Sequence, residues 1–119
     1  MNYVDGFVLP VPKAKLDAYR ELAEKAAAIL RELGALEIRE CVADDVKAGV
    51  LTSFPQSVLL KDDEVVVFSW IVFESREARD KINAAFMADP RMAGMMDPST
   101  HPFDSKRMFF GGFKVLVAA

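Results

Sequence analysis

Hydrophobic residues along this chain recur with two different periods, and each change of period marks a predicted element. A short apolar stretch at residues 3–9 is closed by Pro10 and Pro12, which predicts a strand followed by a helix with proline in its first turn. From Lys13 the apolar residues recur at steps of three and four as far as Gly34, as in an amphipathic helix that ends on a glycine cap. The chain is therefore predicted to begin with a strand and a long helix.

The next segment alternates between two sets of side chains. One side of residues 35–42 carries Leu36, Ile38, Glu40 and Val42. The alternation predicts a second strand that is half exposed at a sheet edge. Residues 43–63 have no sustained period and contain acidic residues, a glycine and a proline, so we interpret them as a long, structured loop. Such loops are often functional, and we expect this one to be either a lid or pocket wall, or a structural arm that crosses to a partner subunit.

Two further strands and a helix complete the pattern. Residues 64–73 are dense in Val, Ile, Phe and Trp without a breaker, which predicts a central strand. Ser75 is the expected N-cap of a second helix that ends at Asp89-Pro90, and residues 108–117 are the expected last strand. The order βαββαβ predicts an α+β, ferredoxin-like fold with a four-stranded antiparallel sheet and two helices on one face.

Both faces of the central strands are apolar. In residues 64–73 one face carries Val65, Val67, Ile71 and Phe73, and the other carries Val66, Phe68, Trp70 and Val72. Two helices cover only one face of such a sheet, and an uncovered apolar face exceeds the patches found on soluble monomers. We therefore expect a homodimer with two-fold symmetry, in which a second copy covers the open face. The alternative is an extra helix, contributed by the long loop, that covers this face.

Length and composition restrict the classes of protein. Hydrophobic residues make up 52% and charged residues 28% of the 119 residues, enough for one packed domain over residues 1–119. The net charge is -3 and the basic residues are scattered, so we expect no nucleic-acid partner. The apolar runs are too short to span a bilayer and we see no signal peptide, which predicts a cytoplasmic protein without membrane contact. Cys41 is the only cysteine, and it suits a reducing compartment.

The residue types that usually carry metals or phosphates are sparse. His101 is the only histidine, so the usual zinc sets cannot be built within one chain, and we expect no metal and no cofactor. His101 lies between Thr100 and Pro102, where a solvent-exposed or capping role is favoured over a general base. Gly111-Gly112 lacks the spacing of a phosphate loop, which leaves a bulge or a close backbone approach as its interpretation.

Polar residues inside apolar strands are the strongest candidates for a site, because burying a polar group without a partner costs about 2–7 kcal/mol. Asp5 shares a strand face with Tyr3 and Phe7. A carboxylate on a central strand needs a cation or hydrogen-bond donors, and we expect Arg107 or Lys106 to supply them.

These residues lead to a hypothesis about binding. We expect a pocket between the sheet and the long loop that takes a small aromatic or acidic molecule. Its candidate residues are Tyr3, Asp5, Phe54, Trp70 and Arg107, with Phe54 as a lid. The alternative is a structural Asp5–Arg107 ion pair that fixes the strand register.

Several short blocks of the sequence are similar, in the same order, to those of a known family. They are Tyr3-Val4-Asp5-Gly6-Phe7, Leu51-Thr52-Ser53-Phe54-Pro55, Phe68-Ser69-Trp70, Asp89-Pro90-Arg91-Met92 and the segment PFDSKRMFFGGF at residues 102–113. Together they resemble the YbaA-like family of small bacterial proteins over essentially the whole chain. The resemblance implies the fold of the dimeric α/β-barrel superfamily, and it carries over no functional residues.

That wider superfamily includes cofactor-independent monooxygenases of antibiotic biosynthesis, haem-degrading enzymes and muconolactone-type isomerases, so the fold does not fix the function. Two classes remain open. A small-molecule-binding protein, or an enzyme similar to a cofactor-free monooxygenase or isomerase, needs a cavity of ligand size. A non-catalytic dimeric module has an interior filled by Phe, Trp and Met side chains and has no such cavity.

Overall fold

The structure, a computed structural model, describes residues 2–95 and 101–119. Its strands are β1 (Tyr3–Pro12), β2 (Glu37–Val42), β3 (Glu64–Phe73) and β4 (Phe109–Lys114). Its helices are α1 (Leu16–Leu33), the single turn α2 (Phe54–Ser57) and α3 (Arg76–Ala88), with 3₁₀ segments at Lys13–Lys15 and Pro90–Met95. The strands are antiparallel in the order β2-β3-β1-β4, which confirms the predicted ferredoxin-like α+β fold.

Odd-numbered residues of β1 and β3 face the helix layer. Phe73 is fully buried in a cluster that contains Leu30 of α1 and Ile82 of α3. Leu9 forms a second cluster with Tyr19 of α1, so the apolar stripe of α1 covers much of the length of the two central strands. Among the described residues, no helix is long and apolar enough to span a bilayer.

Strand β1 is longer than predicted because it pairs differently along its two edges. It continues through Pro10 and Pro12 against β3, although we expected these prolines to begin a helix. β4 pairs with β1 only at Tyr3–Val8, so beyond Val8 one side of β1 is a sheet edge. Proline has no N–H to donate, but at a sheet edge no neighbouring strand needs that donor, so the prolines can remain in β1. The helix consequently begins later than predicted, at Leu16.

Strand β4 is shorter than predicted for a related reason. The alternation of apolar residues extends to Val117, but the strand ends at Lys114. Lys114 is opposite Tyr3, the first residue of β1. After Val115, whose N–H donates to the Asn2 carbonyl oxygen at 3.4 Å, the last residues pair with no described strand. Leu116 and Val117 are consequently among the most exposed apolar side chains.

The second face of the sheet is covered at one end only. There the loop between β2 and β3 places Val58 against Val8 and Val66. Elsewhere Phe68, Phe109 and Phe113 are 40%, 47% and 63% exposed. We call the surface formed by Phe68, Trp70, Phe109 and Phe113 the open face. The extra helix from the loop, our alternative to a second copy, is only the single turn α2. It contacts the open face where Phe54 meets Phe68, and it leaves Phe109 and Phe113 exposed.

Candidate functional site

The five residues of the predicted pocket lie in three places, and one of these places holds Arg107, which pairs with Glu64. Tyr3 and Asp5 are on the helix side of the sheet, where they contact α3. Phe54 contacts Phe68, which contacts Trp70, with 5.7 Å between ring centroids in each pair; these rings belong to the opposite side. A cavity of about 220 Å³ that Phe54 lines contains none of the other four candidates. The structure therefore does not bring the five residues together.

The partners of Asp5 are side chains of α3, and Arg107 is not one of them. Asn83 Nδ2 donates to Asp5 Oδ2 at 3.1 Å, and Arg79 Nε lies 3.4 Å from Oδ1. The predicted Asp5–Arg107 ion pair is therefore wrong. The register explains the error, because Gly112 is opposite Asp5 and residue 107 falls near the other end of β1.

Gly112 lets Arg79 approach the sheet. Arg79 Nη2 donates to the Tyr3 hydroxyl at 3.0 Å, and its guanidinium carbon lies 4.9 Å from the centre of the Tyr3 ring. A Cβ atom on Gly112 would collide with both side chains, whereas one on Gly111 would find its nearest neighbour, Phe113, at 3.8 Å. The close approach predicted for this glycine pair is confirmed at Gly112.

We expect Gly112→Ala to destabilise the fold by about 1–3 kcal/mol, because the buried Tyr3 ring and the Arg79 guanidinium must both move. Urea unfolding followed by circular dichroism measures this change. Gly111→Ala is the matched control, since the same methyl group there meets only an ordinary contact. Equal losses in the two variants would contradict the proposed close approach.

Arg107 ties the long loop to the start of β3. Its Nη1 and Nη2 donate to the two carboxylate oxygens of Glu64 at 2.7 and 2.6 Å, and its Nε donates to Asp104 at 2.9 Å. Nη1 also donates to the carbonyl oxygens of Val58 and Leu59. The hydrogen bonds from Arg107 hold the pKa of Glu64 below its usual value. Arg107 is thus a structural clamp.

A cavity of about 240 Å³ lies between the helices and the sheet, and we call it the inner cavity. Most of its wall is apolar and comes from β1, α1, β3 and α3, including Phe7, Leu9, Leu30, Ile71 and Phe86. The polar side chains of the wall are Tyr19, Glu40, Ser69 and His101. An apolar cavity with a few polar groups is the usual form of a small-molecule site.

Tyr19 and Glu40 form a short hydrogen bond between two side chains of this wall. Tyr19 sits in the buried stripe of α1 and donates to Glu40 Oε1 of β2 at 2.6 Å. Burial and then the nearby Glu40 charge raise the pKa of Tyr19. Glu40 as a whole residue is exposed. Desolvation of its carboxyl group nevertheless raises its pKa, and the hydrogen bond from Tyr19 offsets part of this effect. Both side chains also line a second cavity of about 360 Å³ between α1 and β2, the outer cavity.

His101 is half-buried, so of the two roles that we favoured for it, solvent-exposed or capping, the structure supports capping. Its Nε2 lies 2.5 Å from the carbonyl oxygen of Met95, the last residue of a 3₁₀ segment, which agrees with the predicted capping role. Its ring stacks on Phe103 with 5.0 Å between centroids and 13° between planes. Nδ1 is buried, and no described group bonds to it.

Sequence analysis did not select Tyr19, Glu40 or His101 as site residues. A signal existed for Glu40, which shares a strand side with Ile38 and Val42 and is thus a carboxylate on the side that faces the helices. Tyr19 was indistinguishable from the core residues of α1. In residues 2–95 and 101–119, no three His, Cys, Asp or Glu side chains gather as metal ligands.

The sheet order and the two helices on one face define a ferredoxin-like protein, and solved structures share this fold. The cofactor-independent oxygenase SnoaB from Streptomyces nogalater aligns with a TM-score of 0.61 at 12% identity, covering 98% of this chain and 95% of that one. A dimeric ferredoxin-like protein from an uncultured marine organism aligns with a TM-score of 0.56 at 12% identity, covering 100% and 98%. At these identities the likeness concerns the fold alone.

Sequence comparison is more specific. Residues 2–105 match the family described as "Protein of unknown function (DUF1428)". The uncharacterised protein YbaA of Escherichia coli strain K12 is 50% identical over 117 residues, which is 98% of each chain, and YbaA of Shigella flexneri matches equally well. This chain therefore belongs to the DUF1428 family, and the resemblance to YbaA-like proteins is confirmed.

Proposed function

We propose that this protein binds a small, mainly apolar molecule in the inner cavity. The observation that carries the proposal is the 2.6 Å hydrogen bond between Tyr19 and Glu40 in the wall of a mostly apolar cavity. Carboxyl groups with raised pKa values cluster at functional sites, and Glu40 is such a group. A cavity of this size also counts against the filled dimeric module, which has no room for a ligand.

Filling the inner cavity tests this function. Ala26 lines only the inner of the two cavities, and its neighbour Ala27 lines only the outer one. We expect Ala26→Leu to weaken the binding of fragments at least about tenfold, because the added side chain occupies their space. Ligand-observed NMR on the wild-type protein and both variants measures this. Fragment binding that Ala27→Leu reduces and Ala26→Leu leaves intact would contradict the assignment.

A second candidate is proton transfer on the bound molecule, as in a cofactor-independent oxygenase. It is supported by the raised pKa of Glu40, because a general acid or base works best when its pKa lies near the working pH. SnoaB, described as such an oxygenase, has the same fold. In this case Glu40→Gln should keep ligand binding and abolish ligand-dependent oxygen uptake, measured with an oxygen electrode.

We also propose that two copies associate through the open face. The isolated chain exposes 7947 Å², whereas a monomer of 13.2 kDa exposes on average about 6,400 Å². The difference, roughly 1,500 Å², is within the area that each subunit of an obligate homodimer buries. The molecule is correspondingly flat, measuring 38 × 37 × 20 Å, as expected for a sheet with one uncovered side.

The remaining proposals concern organisation and location. Phe7 packs against both main core clusters, which supports a single domain over residues 1–119. The one cysteine, Cys41, is free, which fits the reducing conditions of the cytoplasm.

A further inference from the structure

Among the residues that the structure describes, one acidic side chain lines the inner cavity, and no Lys or Arg side chain does. The acidic residue is Glu40. The Tyr19 hydroxyl already donates its proton to Glu40. A carboxylate or phosphate ligand would therefore be repelled by the carboxylate form of Glu40, and no described cation would compensate for its lost hydration. Burying an anion under these conditions is strongly unfavourable.

His101 adds a hydrogen-bond acceptor to the residues of the wall. Its Nε2 faces the carbonyl oxygen of Met95, and a carbonyl only accepts, so Nε2 carries the ring proton. In the neutral ring Nδ1 is then an acceptor, and it is buried without a donor among the described residues. A buried acceptor without a donor costs stability, and a donor brought by a ligand would remove that cost.

The volume of the inner cavity limits the ligand further. At about 240 Å³ it is smaller than the cavities of about 300–1,000 Å³ that hold drug-sized molecules. Its apolar side chains include the rings of Phe7, Phe86 and Phe103, which suit a planar apolar body. The ligand is thus on the order of one or two rings in size.

From charge, acceptors and volume together, we infer that the inner cavity selects a small uncharged molecule that donates a hydrogen bond, an alcohol or phenol and not an acid. The inference rests on the proposed binding function and specifies its ligand class. It replaces the acidic molecule that we considered from the sequence, whose cationic partner Arg107 is engaged with Glu64 and Asp104.

Three probes of similar size separate these ligand classes. Phenol carries a donor, toluene has none, and benzoate is an anion. In titrations of the ¹⁵N-labelled protein followed by NMR, we expect phenol to bind about five- to tenfold more tightly than toluene, the effect of one net hydrogen bond, and benzoate more weakly than either. Equal binding of phenol and toluene, or preferred binding of benzoate, would overturn the ligand class while leaving the binding function intact. No binding of any probe would instead overturn the binding function itself.

Matched variants locate the cause of the selection. Glu40→Gln keeps an acceptor for Tyr19 and removes the charge, so benzoate binding should increase at least about tenfold. Glu24→Gln, on α1 and lining only the outer cavity of the two, should leave it unchanged. His101→Phe keeps a ring beside Phe103 and removes the acceptor, so the preference for phenol over toluene should disappear. An unchanged response to benzoate in Glu40→Gln would contradict the inference even if His101→Phe failed to fold.

Discussion

Replacing Arg107 with methionine is expected to lower the free energy of unfolding by about 3–5 kcal/mol, the usual effect of removing one partner of a buried ion pair. The side chain of Glu64 is only 4% exposed, and without Arg107 it loses both of its guanidinium hydrogen bonds. The carbonyl oxygens of Val58 and Leu59 lose a donor as well. Urea unfolding of the wild-type protein and the variant measures the loss, and a second change, Glu64→Met, should recover part of it by removing the unpaired charge.

The pH dependence of this loss gives its control. Arg107 lowers the pKa of Glu64 in the folded protein, so its stabilisation is present above the unfolded pKa of about 4.3 and disappears as the pH falls through the lower folded value. In Arg107→Met the unpaired carboxyl is instead easier to bury when protonated. The difference between wild type and variant should therefore shrink on acidification. A difference of less than 1 kcal/mol at pH 7, or one that grows at low pH, would contradict the role of the pair.

Placing a lysine on the open face is expected to separate the two copies. Phe68 lies in the central strand β3 and is 40% exposed in the isolated chain. In a two-fold interface both copies of Phe68→Lys bring like charges into the same buried surface, which costs several kcal/mol. Analytical ultracentrifugation should give twice the 13.2 kDa chain mass for the wild type and the single-chain mass for the variant at micromolar concentration.

Met87→Lys provides the control for this prediction. Met87 is more exposed than Phe68, at 62%, but it lies on α3 and not on the open face. The same charge placed there should leave the dimer intact. A wild-type protein that sediments as a monomer, or a Phe68→Lys variant that remains dimeric, would contradict association through the open face.

Local pattern was enough to predict the fold. Strand β3 has its predicted bounds because residues 64–73 contain no breaker, and Ser75 caps α3 as expected, with its Oγ accepting from Ala78 N at 3.1 Å. Boundaries failed where pairing decides them. β1 can contain its prolines because β4 pairs with it only as far as Val8. No local sequence pattern indicates where a neighbouring strand stops pairing.

The candidate site was less predictable because its contacts are not local. Asp5 was correctly identified as a carboxylate in need of a cation, but Arg79 comes from α3, 74 positions away along the chain. Glu40 was visible as a polar residue on an apolar strand side, yet its partner Tyr19 depends on how α1 lies on the sheet. His101 lies outside the helices and strands, where the sequence has no periodic pattern from which its position could be predicted.

The most direct test of the central claim, that the inner cavity binds a small molecule, uses the methionine methyl groups as reporters. Met92, Met95 and Met108 line this cavity, whereas Met87 lies on the outside of α3. In methyl-labelled protein titrated with phenol, NMR should show shifts for the first three methyl groups and none for Met87. Binding that leaves Met92, Met95 and Met108 unchanged would contradict the claim.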